Sequence, residues 1–149
     1  MIAGFADPRN REYLDQLRSL SRDLPISIET DLSREELDER FRKARFYWHG
    51  MGLGVKEDNP LKMEHFGMTS AEAFSFGCVP IVIDRGGQKE IITEENGCRF
   101  STEEELIKVT GELIRDKERT DLLARNALKS AERFSADRFR AELNSLLCE

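Results

Sequence analysis

Two glutamates, Glu64 and Glu72, flank a short segment whose residue types suit an anion placed beside hydroxyl groups. Gly67 lies between them and permits close approach of the backbone, and a predicted helix opens near Thr69 with its free amides and positive dipole end outward. Carboxylates repel phosphate but accept hydrogen bonds from sugar and ribose hydroxyls. The segment would therefore suit a ligand with phosphates at its centre and hydroxyls at both ends, such as a nucleotide-diphosphate sugar.

The same segment also has a purely structural interpretation. The run from Thr69 to Glu72 has the spacing of a capping box, in which the two side chains satisfy amides at the helix start. Two glutamates eight positions apart also arise easily by chance in an acidic chain. Spacing alone therefore favours a capping role for Glu72, and the neighbouring residues have to decide between the two interpretations.

The pattern along the chain predicts strands that alternate with helices. Strands are predicted at residues 1–5, 24–28, 46–49, 79–83 and 98–100, and helices at 8–20, 33–44, 69–76, 103–116, 118–134 and 136–147, with a short helix or turn at 89–92. Such repeated units imply an α/β fold, a Rossmann-like three-layer sandwich with a mostly parallel sheet. Ligands bind beyond the carboxyl ends of such strands, which selects the loops after Ile28, His49 and Ile83 and the helix start near Gly67.

Composition limits the classes of protein that this sequence can encode. Its 149 residues, 39% hydrophobic and 35% charged, predict one globular domain over 1–149. The net charge of -6 argues against nucleic acid as a partner. Three cysteines without C-x-x-C spacing indicate neither a disulfide framework nor a zinc site and fit a cytoplasmic protein. No apolar run reaches the length of a membrane span, so none is expected.

The central segment resembles the C-terminal domain of glycosyltransferase family 4, also called group 1, which forms one half of a GT-B fold. The family pattern is a glutamate, seven residues, a second glutamate, then Ala-x-x-x-Gly-x-Pro-Val and Gly-Gly-x-x-Glu-Ile. The sequence matches it at Glu64, Glu72, Gly77 and Gly86-Gly87 with Glu90, and Pro80 follows Gly77 with two residues between them and not one. The run Phe46-Tyr-Trp-His49-Gly is similar to a subset that includes mannosyl- and rhamnosyltransferase-like members. The order and identity of so many positions favour a functional role for the segment.

The resemblance implies a role for each matching residue in a retaining glycosyltransferase. Glu72 would accept hydrogen bonds from the ribose and Glu64, the catalytic candidate, would contact hydroxyls of the transferred sugar. Amides of Gly67, Met68 and Thr69 would hold the diphosphate without a metal ion or other cofactor. The implied donor site also includes Phe66, Leu32 in the base-contacting loop after Thr30-Asp31, and His49, which could equally be a packed residue beside Trp48.

The chain departs from the family at its N-terminus. It begins at what resembles the second strand of the domain, so the first strand and its phosphate-binding arginine and lysine are expected to be missing. The N-terminal domain, through which a sugar or lipid-linked acceptor would bind, is expected to be missing as well. We therefore expect this chain alone to bind a UDP- or GDP-sugar weakly and to transfer nothing, whereas the full-length enzyme could lie at a membrane surface. The alternatives are half of a nucleotide-sugar epimerase or phosphorylase-like GT-B enzyme, or a non-catalytic binding module.

Overall fold

A computed structural model describes residues 1–56 and 59–147 of the chain. The chain divides into two compact units, Met1–Arg40 and Phe41–Glu149, each with its own parallel sheet. The predicted α/β fold with parallel strands is thus confirmed, although the strands form two sheets and not one. The expectation of a single domain over 1–149 stays a prediction.

The N-terminal unit contains β1 (Ile2–Gly4), α1 (Arg11–Leu20), β2 (Ile28–Thr30) and the start of α2 (Arg34–Lys43). The two strands run parallel and pair Ile2 with Ile28. Ser33 and Glu36 form the predicted capping box: the Ser33 amide donates to Glu36 Oε2 at 2.8 Å, and the Glu36 amide donates to Ser33 Oγ at 3.2 Å. The start of α2 therefore follows from the sequence.

The predicted second strand, residues 24–28, is wrong in position. β2 begins only at Ile28, and residues 21–25 form turns instead. The amide of Leu24 donates to the Ser21 carbonyl, and the amide of Ile26 donates to the Leu24 carbonyl. These local bonds use the backbone groups that a sheet ladder would need, so the strand starts after them.

The C-terminal unit has a three-stranded parallel sheet in the order β3-β4-β5. The strands are β3 (Phe46–His49), β4 (Val79–Ile83) and β5 (Cys98–Phe100), and the helices that follow them are α3 (Met68–Ser75), α4 (Gln88–Ile91), α5 (Glu103–Arg115), α6 (Lys117–Ala131) and α7 (Ala136–Leu147). Short 3₁₀ segments lie at Pro8–Asn10, Pro60–Lys62 and Glu132–Phe134. Apart from the second strand, the observed bounds fall close to the predicted ones.

β4 is the centre of this unit, and every one of its residues is buried. Val79, Ile81 and Ile83 pack with Leu113 of α5 and Leu123 of α6. Val82 lies in a second cluster that holds residues of α3, α4 and α6. Helices therefore cover both faces of the strand, as its run of apolar residues predicts.

A proline at the start of β4 decides where the pairing with β5 begins. The amide of Val79 donates to the Arg45 carbonyl on the β3 side, and the amide of Asp84 donates to the Phe100 carbonyl on the β5 side. Because the bonding direction alternates along a strand, the nitrogen of Pro80 faces β5, where it has no hydrogen to donate. The ladder with β5 accordingly starts one residue later, at Ile81.

Glycines mark both ends of α3. Gly67, with φ of 93°, precedes its first residue, and Gly77, with φ of 70°, follows its last turn. The amide of Cys78 then donates to the Ala73 carbonyl at 3.1 Å, which closes the helix end. The prediction that Gly77 ends this helix is confirmed. No helix within residues 1–56 and 59–147 is long and apolar enough to cross a membrane.

Candidate active site

The loop with Gly86 and Gly87 packs directly against the backbone of residues 64–66. The Gly87 amide donates to the Glu64 carbonyl at 2.8 Å. A Cβ at Gly86 would lie 2.2 Å from the Glu64 carbonyl oxygen, and one at Gly87 would lie 2.1 Å from that of His65. Only glycine fits at these contacts, so the pair fixes the segment that begins with Glu64.

The Glu64 carboxylate turns back onto its own loop. Its Oε1 accepts hydrogen bonds from the amides of Phe66, at 3.3 Å, and Gly67, at 3.1 Å, and its Oε2 lies 3.3 Å from His49 Nε2. Burial alone would raise the pKa of Glu64, but the two amides and His49 outweigh it and lower the pKa below its usual value. Glu64 is therefore an anion at neutral pH and an acceptor of hydrogen bonds.

β3 directs two side chains to this loop and to the start of α3. Tyr47 and His49 alternate with Trp48 and so lie on the same face of the strand. The Tyr47 hydroxyl bonds Thr69 Oγ1 at 2.6 Å, and His49 bonds Glu64. His49 is thus partly buried and bonded to Glu64, and its role in a donor site stays a prediction.

The start of α3 differs from the capping box that the sequence allowed. Gly67, not Thr69, is the N-cap, and no side chain caps the helix. The capping interpretation of Glu72 is therefore wrong, because Thr69 lies inside the first turn and bonds Tyr47. The Gly67 amide is occupied by Glu64, whereas no described residue accepts a hydrogen bond from the amide of Met68 or Thr69. These two amides are the ones that remain for an anion.

The other predicted site residues are placed as follows. Glu72 lies one turn along α3 and is partly buried. Phe66 is 46% exposed and packs edge to face against Phe134, with ring centroids 5.7 Å apart. Leu32 belongs to the N-terminal unit, next to Asp31, whose φ of 56° and bond to the Ala6 amide shape that turn. Their roles as donor contacts stay predictions.

Three side chains of the site were missed by the sequence analysis: Tyr47, Ser70 and Gln88. Ser70 Oγ donates to Gln88 Oε1 at 3.0 Å, and Gln88 Nε2 lies 3.3 Å from His49 Nδ1. The signal for Gln88 was its place directly after Gly86-Gly87, and that for Tyr47 was its place two residues before His49. Within residues 1–56 and 59–147, no three His, Cys, Asp or Glu side chains are grouped to hold a metal ion.

The His49 environment predicts how stability depends on pH. Burial lowers the pKa of His49 below its ordinary value of 6.5, and Glu64 opposes this only in part. Below that pH the unfolded chain binds more protons than the folded chain, so the free energy of unfolding should fall as the pH drops from about 7 to about 5. The free energy of unfolding, measured with denaturant at several pH values in this range, should change less with pH in His49→Gln than in the wild type. The exposed His65 is the control. The prediction would be contradicted if the pH dependence of the unfolding free energy were that of the wild type in His49→Gln but changed in His65→Gln.

Comparison with known proteins gives the chain its family context. Residues 1–130 match the family model described as glycosyl transferases group 1. The GDP-Man:Man(3)GlcNAc(2)-PP-Dol alpha-1,2-mannosyltransferase of Dictyostelium discoideum is 27% identical over 145 residues, which cover 93% of this chain and 27% of that protein. The chain therefore spans only about a quarter of the length of this relative.

Solved structures share the fold at low sequence identity. Anabaena HepE, solved in complex with UDP and glucose, superposes with a TM-score of 0.79 at 16% identity, over 98% of this chain and 39% of that one. The C-terminal domain of the group 1 family protein LpcC from Francisella tularensis gives a TM-score of 0.64 at 21% identity, over 85% of this chain and 64% of that one. Because the family model matches most of the chain, the protein belongs to the group 1 glycosyl transferase family.

Proposed function

We propose that this chain is the donor-binding half of a retaining glycosyltransferase of family 4, and that residues 64–72 hold its nucleotide-diphosphate sugar. The observation that supports this best is the ionised Glu64 carboxylate, oriented by two amides and His49 beside the open amides of Met68 and Thr69. A carboxylate that can accept hydrogen bonds from hydroxyls thus lies next to amides that can donate hydrogen bonds to phosphate. Membership of the group 1 family favours this reading over an epimerase, a phosphorylase or a binding module.

The proposed roles follow the chemistry of each group. The anion Glu64 accepts hydrogen bonds from hydroxyls of the transferred sugar and stabilises positive charge that develops on the sugar. The amides of Met68 and Thr69 stabilise negative charge on the departing diphosphate. Glu72 accepts the ribose hydroxyls. Phe66 and His49 line the site, Leu32 contacts the base, and the site works without a metal ion.

The donor is a UDP- or GDP-sugar, by analogy with the relatives. HepE was solved with UDP-glucose, and the name of the Dictyostelium relative specifies GDP-Man. We place the acceptor, a sugar or a lipid-linked sugar, on a further domain, and the enzyme in the cytoplasm or at a membrane surface. The 149-residue chain should accordingly bind donor but give no turnover in a transfer assay.

The test of this proposal is the loss of nucleotide affinity in Glu72→Gln. The neutral amide accepts ribose hydroxyls less well than a carboxylate, and one charged hydrogen bond contributes roughly 1.5–3 kcal/mol. Affinity for UDP or GDP, measured by calorimetric titration, should fall by a few-fold to a hundredfold, with little change in the free energy of unfolding.

Glu118→Gln is the matched control, because Glu118 is an exposed glutamate in the first turn of α6. It should bind like the wild type. Equal affinity in Glu72→Gln would remove the ribose contact from the proposal. If the wild-type chain bound neither UDP nor GDP, the chain would be a non-catalytic interaction module instead.

A further inference from the structure

Gln88 is a polar side chain with no exposed surface, next to the pair formed by Glu64 and His49, and none of the proposed roles uses it. It is the first residue of α4 and follows Gly87. A buried amide is unfavourable unless its donors and acceptor are bonded. Its two amide atoms contact two different elements, Ser70 on α3 and His49 on β3.

These contacts give the hydrogen bonds a direction. The Ser70 hydroxyl donates to Gln88 Oε1 at 3.0 Å, which leaves Nε2 to face His49 Nδ1 at 3.3 Å. An amide nitrogen can only donate, so Nδ1 has to accept. The proton of the neutral imidazole then resides on Nε2, which lies 3.3 Å from Glu64 Oε2.

The start of α3 restricts the amide further. A Cβ at Gly67 would lie 2.8 Å from Gln88 Nε2 and 3.0 Å from Oε1, so the amide packs against bare backbone. The Gly67 amide in turn donates to Glu64 Oε1. Gln88 therefore contacts both the glycine that binds one carboxylate oxygen and the histidine that binds the other.

We propose that Gln88 is a positioning residue: it holds His49 in the neutral form protonated on Nε2, and His49 in turn holds the Glu64 carboxylate in the orientation needed for the sugar. The assignment to the sugar rests on the proposed donor site. The chain from Ser70 through Gln88 and His49 to Glu64 acts as the outer hydrogen bonds of a binding carboxylate do, by fixing a tautomer and a ring orientation.

The first test reads the tautomer of His49 directly. Long-range proton–nitrogen NMR spectra of the full chain distinguish a protonated from an unprotonated ring nitrogen, and His65→Gln assigns the signals because the chain has two histidines. In the wild type, Nε2 should be protonated and Nδ1 unprotonated. Gln88→Met keeps a long unbranched side chain without the amide, and the preference for this tautomer should fall about tenfold.

Two further variants allow the tautomer to be tested even if Gln88→Met does not fold. Gln88→Glu places a second carboxylate at Nδ1, so both ring nitrogens of His49 should carry protons. Ser70→Ala removes the bond that orients the amide, together with a hydrogen bond to Tyr47, and should weaken the tautomer preference less than Gln88→Met does. A wild-type His49 spectrum in both Gln88 variants would overturn the inference.

A second measurement separates this inference from the donor site. Affinities for GDP-mannose and UDP-glucose are compared with those for GDP and UDP. The comparison uses whichever nucleotide sugar binds the wild type. In Gln88→Met, affinity for that nucleotide sugar should fall about tenfold, while affinity for the matching nucleotide diphosphate stays unchanged. If the tautomer changes but neither affinity does, Gln88 positions His49 as inferred, and the contact of Glu64 with the sugar fails.

Discussion

Gly87→Ala is expected to lower the free energy of unfolding by about 3 kcal/mol, because the new methyl group would overlap fixed backbone. Its Cβ would lie 2.1 Å from the His65 carbonyl oxygen and 2.8 Å from Phe66 Cα. Gly87 itself has φ of -64° and ψ of -16°, which suit alanine, so the loss reports the contact and not backbone strain. Denaturant unfolding of the variant and the wild type measures it.

Gly50→Ala is the matched control for this substitution. No atom lies within 4 Å of a Cβ at Gly50, and its φ is not in the left-handed region. Its stability should stay near the wild type or rise by up to about 1 kcal/mol, because alanine restricts the unfolded chain. Equal stability of the two variants would mean that the loop of Gly86 and Gly87 does not pack against residues 64–66 in solution.

Glu64→Ala should lower the free energy of unfolding by about 3 kcal/mol, because three donors lose their acceptor together. The donors are the amides of Phe66 and Gly67 and the Nε2 of His49. Glu64→Gln is the comparison variant, since its carbonyl oxygen still accepts from the two amides. It should lose about 1 kcal/mol, because its NH₂ group then faces His49 Nε2.

The contribution of Glu64 should also depend on pH. The folded chain holds the pKa of this carboxyl below its ordinary value of 4.5, so the stabilisation is complete above that pH and is lost as the pH falls through the folded value. The difference in unfolding free energy between wild type and Glu64→Gln should therefore shrink in acid. A difference that is the same at about pH 7 and about pH 3 would mean that the carboxylate is not ionised against these donors.

Much of the fold could be predicted because local patterns and tertiary packing agree. β4 is an unbroken run of apolar residues, and such runs are buried on both faces wherever they occur in a parallel sheet. Gly77 ends α3, and Ser33 with Glu36 begins α2, through hydrogen bonds between residues close in the sequence. The second strand was misplaced because Leu24 and Ile26 alternate as a strand would, while their amides bond within turns that the pattern does not reveal.

The site was only partly predictable for a related reason. Glu64 and Gly67 were found through their motif, and the bonds from the amides of Phe66 and Gly67 to Glu64 follow from short-range geometry. Gln88 and Ser70 lie 18 residues apart and meet only because β4 returns the chain to the same end of the sheet. No spacing rule encodes a contact of that kind, and a buried glutamine resembles any surface glutamine in a sequence.

Pro80 has a consequence for how accurately the sheet must assemble. If β5 shifted by one bonding step toward the start of β4, its new partner would be Pro80, which has no amide hydrogen, so misregistered pairing in that direction is penalised. In the correct register the Asp84 amide donates to the Phe100 carbonyl, and Asp84 lies three residues before Gly87. Pro80 therefore disfavours one misregistered sheet during folding, although it has no role in the proposed donor site.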